Sequence, residues 1–300
     1  MTTIITKNSS TTGAAPAAGD LTQGELAVNV TDRKLYTKNS SNAVVSIGAD
    51  FASNNPTGTS NVTIGASAGA GLTTAASSTF VGNEAGKAVT TAGSNTAVGD
   101  LALSTNIVGI GNTAIGKSAM NKVTGNYNTA IGNFTGNALT AAFSNTLLGD
   151  SAGNNLTTGS SNICIGLTSF ASSPTVSNEI TLGGNSISAL RCNVTSISSL
   201  SDARDKTDIV DTAYGVDFLN TLQPRQFKWA TRDGSPKDGK TEQGFIAQEL
   251  LEAAGVDKNK LNLVYESNPE KLEATAGNLI PILVKAIQEL SARVTELENN

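Results

Sequence analysis

A five-residue phrase of Asn or Ser, two further residues, an aliphatic and Gly returns through the middle of this chain at a spacing that few folds can accept. Its glycines are Gly65, Gly82, Gly99, Gly116, Gly132, Gly149, Gly166 and Gly183, a step of 17 residues broken once by a step of 16. A second small residue recurs at Gly69, Gly86, Gly136 and Gly153, and a second apolar position at Leu72, Val89, Val123, Leu139 and Leu156. Such a unit is too short for a helical hairpin, but it suits one coil of a β-solenoid with glycine at the corners. The aliphatics Ile64, Val81, Val98, Ile115, Ile131, Leu148 and Ile165 are expected to point inward, about one large side chain per strand. So thin a coil encloses little, and association of several copies would supply the missing burial.

The phrases Asn95-Thr96-Ala97-Val98-Gly99, Asn112-Thr113-Ala114-Ile115-Gly116 and Asn128-Thr129-Ala130-Ile131-Gly132 resemble the head repeats of trimeric autotransporter adhesins. The resemblance covers about residues 61–183 and implies a trimeric β-roll. It implies an extended fibre without saying whose.

Composition narrows the function. Aromatic residues make up 4% of the 300 and there are 30 glycines, unlike an ordinary enzyme. Residues 1–200 hold 8 acids and 8 bases, whereas residues 201–300 hold 17 acids and 12 bases, so two materials join near residue 200. No basic stripe offers itself to nucleic acid. With no His and only Cys164 and Cys192, an ordinary zinc site, a His-dependent triad and a disulfide framework are excluded, and no cofactor is expected. The opening Met1–Lys7 has no apolar signal core and no run of eighteen apolar residues occurs. The expectation from these absences is a soluble chain made in the cytoplasm and not inserted in a membrane.

Ahead of the repeat, Gly24–Val30 alternates apolar residues, Thr31-Asp32-Arg33-Lys34 reads as a turn into Leu35-Tyr36-Thr37, and Asn39-Ser40-Ser41-Asn42 as a turn into Val44–Ile47. This small β-meander is similar to the N-terminal modules of phage tail and receptor-binding proteins. It reads equally as a cap on the first coil.

At Leu200-Ser201 the charge changes abruptly. Ser201-Asp202-Ala203-Arg204-Asp205-Lys206 with Ile209, then Pro224, Phe227-Lys228-Trp229 and Gly244-Phe245-Ile246-Ala247-Gln248-Glu249 resemble the endosialidase-type intramolecular chaperone, a self-cleaving peptidase at the end of many phage fibres. A Ser hydroxyl needs a neighbouring base to become a nucleophile, and without His the base would be a Lys made neutral by burial. The resemblance implies Ser201 and Lys206 as the catalytic dyad and Leu200-Ser201 as the bond cut, with Asp202 and Arg204 structural. Ile280, Leu283, Ile287, Leu290, Val294 and Leu297 repeat at steps of three and four, a coiled-coil seam with Pro281 in the first turn. Arg293 and Glu298 could pair between chains. Such a seam usually favours two strands, whereas both resemblances imply three. A terminal helix packed on its own domain is the bland alternative. Trp229 reads as core of this domain, Cys164 as a small packed residue, and Glu84, Asp100 and Asp150 as solvated coil corners.

The expected fold is mainly β. An N-terminal β module spans residues 1–50, a trimeric β-solenoid shaft 51–185, a connecting β segment 186–200, and an α+β chaperone 201–300 with a coiled coil over 279–298. The expected function is that of a virion fibre, a tail fibre or similar appendage. Its C-terminal domain drives trimerisation and then removes itself, acting as an endopeptidase on itself only. Expected partners are two further copies, other virion proteins through residues 1–50, and a host surface glycan or protein. The alternative is a fibre or surface adhesin, bacterial or prophage-borne, with a permanent C-terminal clamp.

Overall fold

Alternation of apolar and polar residues in the first fifty residues produces a sheet of short strands. The computed structural model describes residues 7–11, 13–30, 34–46, 58, 60–184, 186–187, 189–191, 193, 201–232 and 237–299. The strands Lys7–Ser9 (β1), Leu26–Asn29 (β2), Lys34–Lys38 (β3) and Val44–Ser46 (β4) lie side by side in chain order. β2, β3 and β4 form the expected antiparallel meander, and β1, which the alternation did not reveal, adds parallel to β2. Buried Asn29 donates to the carbonyls of Thr11 and Ala14, both at 2.9 Å, and so ties the preceding loop to the sheet. Thr31–Arg33 and Ile47 lie outside the described residues.

Two compact units divide the chain, residues 1–137 and 138–300. In the first, one strand per repeat follows: Val62–Ile64 (β5), Thr79–Val81 (β6), Thr96–Val98 (β7), Thr113–Ile115 (β8) and Thr129–Ile131 (β9). Each pairs parallel with the next, with equivalent repeat positions opposite one another, as Ala97 faces Ala114 and Ala114 faces Ala130. The second unit holds Thr146–Leu148 (β10), Ile163–Ile165 (β11) and Ile180–Leu182 (β12), parallel and in the same register. Both units are therefore built from coils of a parallel β-solenoid. At Gly99 the backbone has φ +132°, and a Cβ would sit 2.6 Å from the carbonyl oxygen of Gly116, so the corner accepts glycine alone.

The strand interior differs from expectation by one residue. Phe80, Ala97, Ala114, Ala130, Leu147 and Cys164, the middle residues of their strands, are the buried ones, together with Val89, Val123, Leu139 and Leu156 of the second apolar position. Ile64, Val81 and Val98 are half-buried, while Ile115, Ile131 and Ile165 are each 38% exposed and Leu148 44%. Side chains of a strand alternate between faces, so a shift of one residue exchanges inside for outside. The coil is narrow enough for alanine to fill it, and the larger aliphatic next to it is turned out.

An asparagine ladder closes the coils. The Oδ1 of Asn95 accepts from the Asn112 amide at 2.9 Å, and Asn112 Oδ1 in turn accepts from the Asn128 amide at 2.9 Å. Asn112 Nδ2 donates to the Gly125 carbonyl at 2.8 Å. All three asparagines are fully buried. Replacing Asn112 by Ala strands a buried amide and a carbonyl and should cost roughly 2–5 kcal/mol. Urea unfolding of the variant beside the parent chain measures it, and an unchanged midpoint would contradict the ladder's role.

In the C-terminal domain, a short helix Val216–Leu219 (α1) is followed by the hairpin Arg225–Lys228 (β13) and Thr241–Gly244 (β14), then helices Ala247–Ala254 (α2) and Lys258–Leu261 (α3). A second hairpin, Val264–Tyr265 (β15) with Glu273–Ala274 (β16), leads to the long helix Ile280–Glu298 (α4). The core gathers Leu222, Leu250, Ala254, Leu261, Leu263, Leu279 and Ile282. Trp229 stands apart from this core, half-buried on its hairpin, edge-on to Phe227 and donating to Glu242 at 3.0 Å. Helix α4 buries Ile282 and Ala286 and packs on α1, whereas the seam residues Ile280, Leu283, Ile287, Leu290, Val294 and Leu297 all face solvent. The helix thus has two apolar faces, one satisfied by its own domain. Among the described residues no helix is long and apolar enough to cross a membrane.

Candidate functional site

Ser201 opens the described part of the charged region, and a tight turn beside it folds the chain back on itself. Ala203–Asp205 makes one turn of 3-10 helix, capped by Asp202, whose Oδ1 accepts from the Arg204 amide at 2.9 Å. The Arg204 guanidinium grips the same carboxylate, Nη2 to Oδ2 at 2.6 Å. Hydrogen bonds from that side chain, then from its backbone amide, hold the Asp202 carboxyl below its ordinary range. Asp202 and Arg204 are therefore a local brace, in keeping with the structural role expected of them. The Lys206 amide donates to the Ala203 carbonyl at 3.2 Å and closes the turn. Five residues of chain then suffice to bring the Lys206 ammonium onto the Ser201 hydroxyl, Nζ to Oγ 2.5 Å.

The geometry is that of a nucleophile beside a nitrogen able to take its proton, provided that nitrogen is neutral. Burial among apolar neighbours, the expected means of making it so, is absent here: Ser201 and Lys206 are both exposed. Ile209 and Val210, a few residues further on, are 69% and 84% exposed, an apolar rim with nothing of this chain over it among the described residues. Leu200, the other side of the expected scissile bond, lies outside the described residues, as does most of the connecting segment 186–200.

A family model matches the start of the charged region. Residues 201–258 match the family described as chaperone of endosialidase, Peptidase_S74. The match begins on Ser201. It takes in the capped turn, both strands of the β13–β14 hairpin and all of α2, and it stops short of α4. Within this chaperone domain, Gly244 ends β14 and Ala247 begins α2, which makes the Gly-Phe-Ile-Ala-Gln-Glu phrase a strand-to-helix turn. Glu249 of that turn meets Arg225 of β13 at 2.8 Å. No curated protein and no solved structure matches the chain. Parallel solenoid coils together with this domain fit a fibre protein with a C-terminal endosialidase-type chaperone.

No pattern in the sequence pointed to Glu289. From α4 its Oε2 accepts the Val216 amide at 2.9 Å, against Gly215, where a Cβ would collide with the carboxylate. The long helix thus anchors α1 at the far end of the chain segment that begins with the Ser–Lys turn. The corner acids are engaged locally, Glu84 with Lys87 at 3.0 Å, Asp100 with Asn83 at 2.8 Å and Asp150 with Ser151 at 2.8 Å. Burial, reinforced by the nearby Glu179 carboxylate and opposed by a hydrogen bond with Thr181, pushes the Cys164 thiol up to about 11, as befits a packed residue.

Proposed function

We propose that the chain is the subunit of a homotrimeric virion fibre, a tail fibre or similar appendage that serves host attachment. In this reading its C-terminal domain assembles three chains in register and then cuts itself off between Leu200 and Ser201. The observation that carries this is the coincidence of three things on one residue: the family match begins at Ser201, the composition changes there, and its hydroxyl lies 2.5 Å from Lys206 Nζ. Two uncovered apolar surfaces support trimerisation. One is the outward aliphatic of the coils, Ile115 and Ile131 in the first unit and Leu148 and Ile165 in the second; the other is the α4 seam. Neighbouring copies would also lie over Ile209 and Val210 and so remove water from the dyad, which ties cutting to assembly. The N-terminal sheet would join other virion proteins, and the shaft would meet a host surface glycan or protein.

Native mass together with subunit mass of the expressed chain tests this. Three copies of a piece ending at Leu200 are expected; a monomer would overturn the fibre, and a trimer of whole chains the cutting. The exposure of both dyad groups favours a second reading, a trimeric fibre or surface adhesin whose C-terminal domain stays as a permanent clamp.

A further inference from the structure

The asparagine ladder changes its chemistry at its last rung. The repeat position four residues before each corner glycine is Asn95, Asn112, Asn128, Asn145 and Asn162 in successive coils, and then Glu179. Glu179 takes its place in the ladder through its own amide, which donates to Asn162 Oδ1 at 3.0 Å. The earlier asparagines of the ladder offer their Oδ1 to the amide of a following coil. Glu179 offers two carboxylate oxygens elsewhere. The Ser172 amide donates to Oε1 at 2.8 Å, Thr181 Oγ1 to Oε1 at 3.2 Å, and the Ser172 hydroxyl to Oε2. The remaining donor comes from another domain: Tyr265, at the end of β15, gives its hydroxyl to Oε2 at 2.9 Å.

The loop after β15 extends the contact. Ser267 Oγ meets Ser172 Oγ at 2.6 Å, and Asn268 Nδ2 donates to the Ser172 carbonyl at 2.8 Å. Burial alone would raise the Glu179 carboxyl, but the hydrogen bonds from Ser172, Tyr265 and Thr181 outweigh it and hold it below the ordinary range. It is the one acid between residues 151 and 200.

We propose that Glu179, standing where other coils carry Asn, makes the last coil a docking site for the C-terminal domain through Tyr265, Ser267 and Asn268, and that this latch retains the domain after the chain is cut. Ser172 and Glu179 precede the bond at Leu200-Ser201, and their three partners come after it. Cutting there leaves both halves of the contact whole on separate polypeptides. Cleavage and departure of the domain are then two events, the second governed by the latch. Only the timing rests on the self-cutting reading; the contact itself does not.

The test uses the full chain with Ser201→Ala and a recognition sequence for a specific protease placed within residues 194–199. After the added protease has cut, size-exclusion chromatography shows whether residues 201–300 travel with the shaft. Co-elution is expected at micromolar concentration. Adding Glu179→Ala with Asn268→Ala should weaken retention roughly tenfold or more, since the bond from Tyr265 to the Glu179 carboxylate and the bond from Asn268 to the Ser172 carbonyl are both lost. Tyr265→Phe, which removes one hydroxyl and disturbs no packing, should weaken it in the same direction and serves if the double variant misfolds. Separation at once in the parent background, or retention unchanged in the variants, would overturn the latch. Because an added protease does the cutting, failure of self-cleavage shows separately, in the subunit mass of the chain that keeps Ser201.

Discussion

Lys206→Arg should leave the chain as uncut as Ser201→Ala or Lys206→Ala, while the unaltered chain resolves into residues 1–200 and 201–300. A guanidinium would keep the positive charge beside the Ser201 hydroxyl but is never deprotonated in a protein, so it separates a base from a mere point charge. With no His in the chain, the proton of Ser201 has Lys206 Nζ at 2.5 Å as its acceptor once that nitrogen is neutral. Removing a general base costs typically 10²–10⁴-fold in rate, enough to take a cut completed in an hour beyond days. Subunit mass followed over time reads it directly. The exposure of both groups adds a second expectation: if partner copies complete the site by covering it, cutting should follow trimerisation and slow on dilution. An arginine variant that cuts at the parent's rate would remove Lys206 from the chemistry; cutting at one rate over a hundredfold dilution would remove the partner copies from it.

What the sequence made legible and what it hid divide along physical lines. Period, corner glycines and one strand per coil follow from spacing, which local sterics fix. Which face of that strand is inside does not. Ala97, Ala114 and Ala130 look like spacers beside Val98, Ile115 and Ile131, and only the width of the coil reveals that alanine fills it. A signal was present nonetheless, since Phe80, Leu147 and Cys164 stand at the alanine position and are residues seldom left in water. The approach of Ser201 to Lys206 was readable because a capped turn is local. The contact of Glu179 with Tyr265 was not, because 86 residues separate them and nothing local requires it. The exposure of Ser201 and Lys206 escaped for a related reason: a sequence carries the apolar residues that assembly would bury, but not which surface of which copy buries them.

The second large effect is expected from Ile287→Asp with Leu290→Asp, which should convert the proposed trimer to monomers while leaving the C-terminal domain folded. These two residues are 65% and 48% exposed on α4, and the residues that fasten the helix to its own domain lie on its other face. Ile282 and Ala286 are buried there, and Glu289 holds the amide of Val216. Ile282→Asp is therefore the contrasting variant, expected to unfold the domain itself. Each seam side chain buried between chains contributes about 1.5–3 kcal/mol, and two carboxylates facing their copies across the seam reverse the sign, so association should fall by several orders of magnitude. Sedimentation velocity reports the mass, and far-ultraviolet circular dichroism the surviving helix. A persistent, well-formed trimer would place the whole cohesion in the shaft. The shaft alone is a poor candidate to set register, because coils that repeat every 17 residues offer nearly equivalent pairings one coil apart. A slip of one heptad along the α4 seam leaves one of its three apolar pairs, Ile280/Leu283, Ile287/Leu290 and Val294/Leu297, uncovered, a larger share than one coil of the shaft. Chains lacking the seam are thus expected to associate, where they associate at all, slowly and out of step, through the outward aliphatics Ile115, Ile131, Leu148 and Ile165.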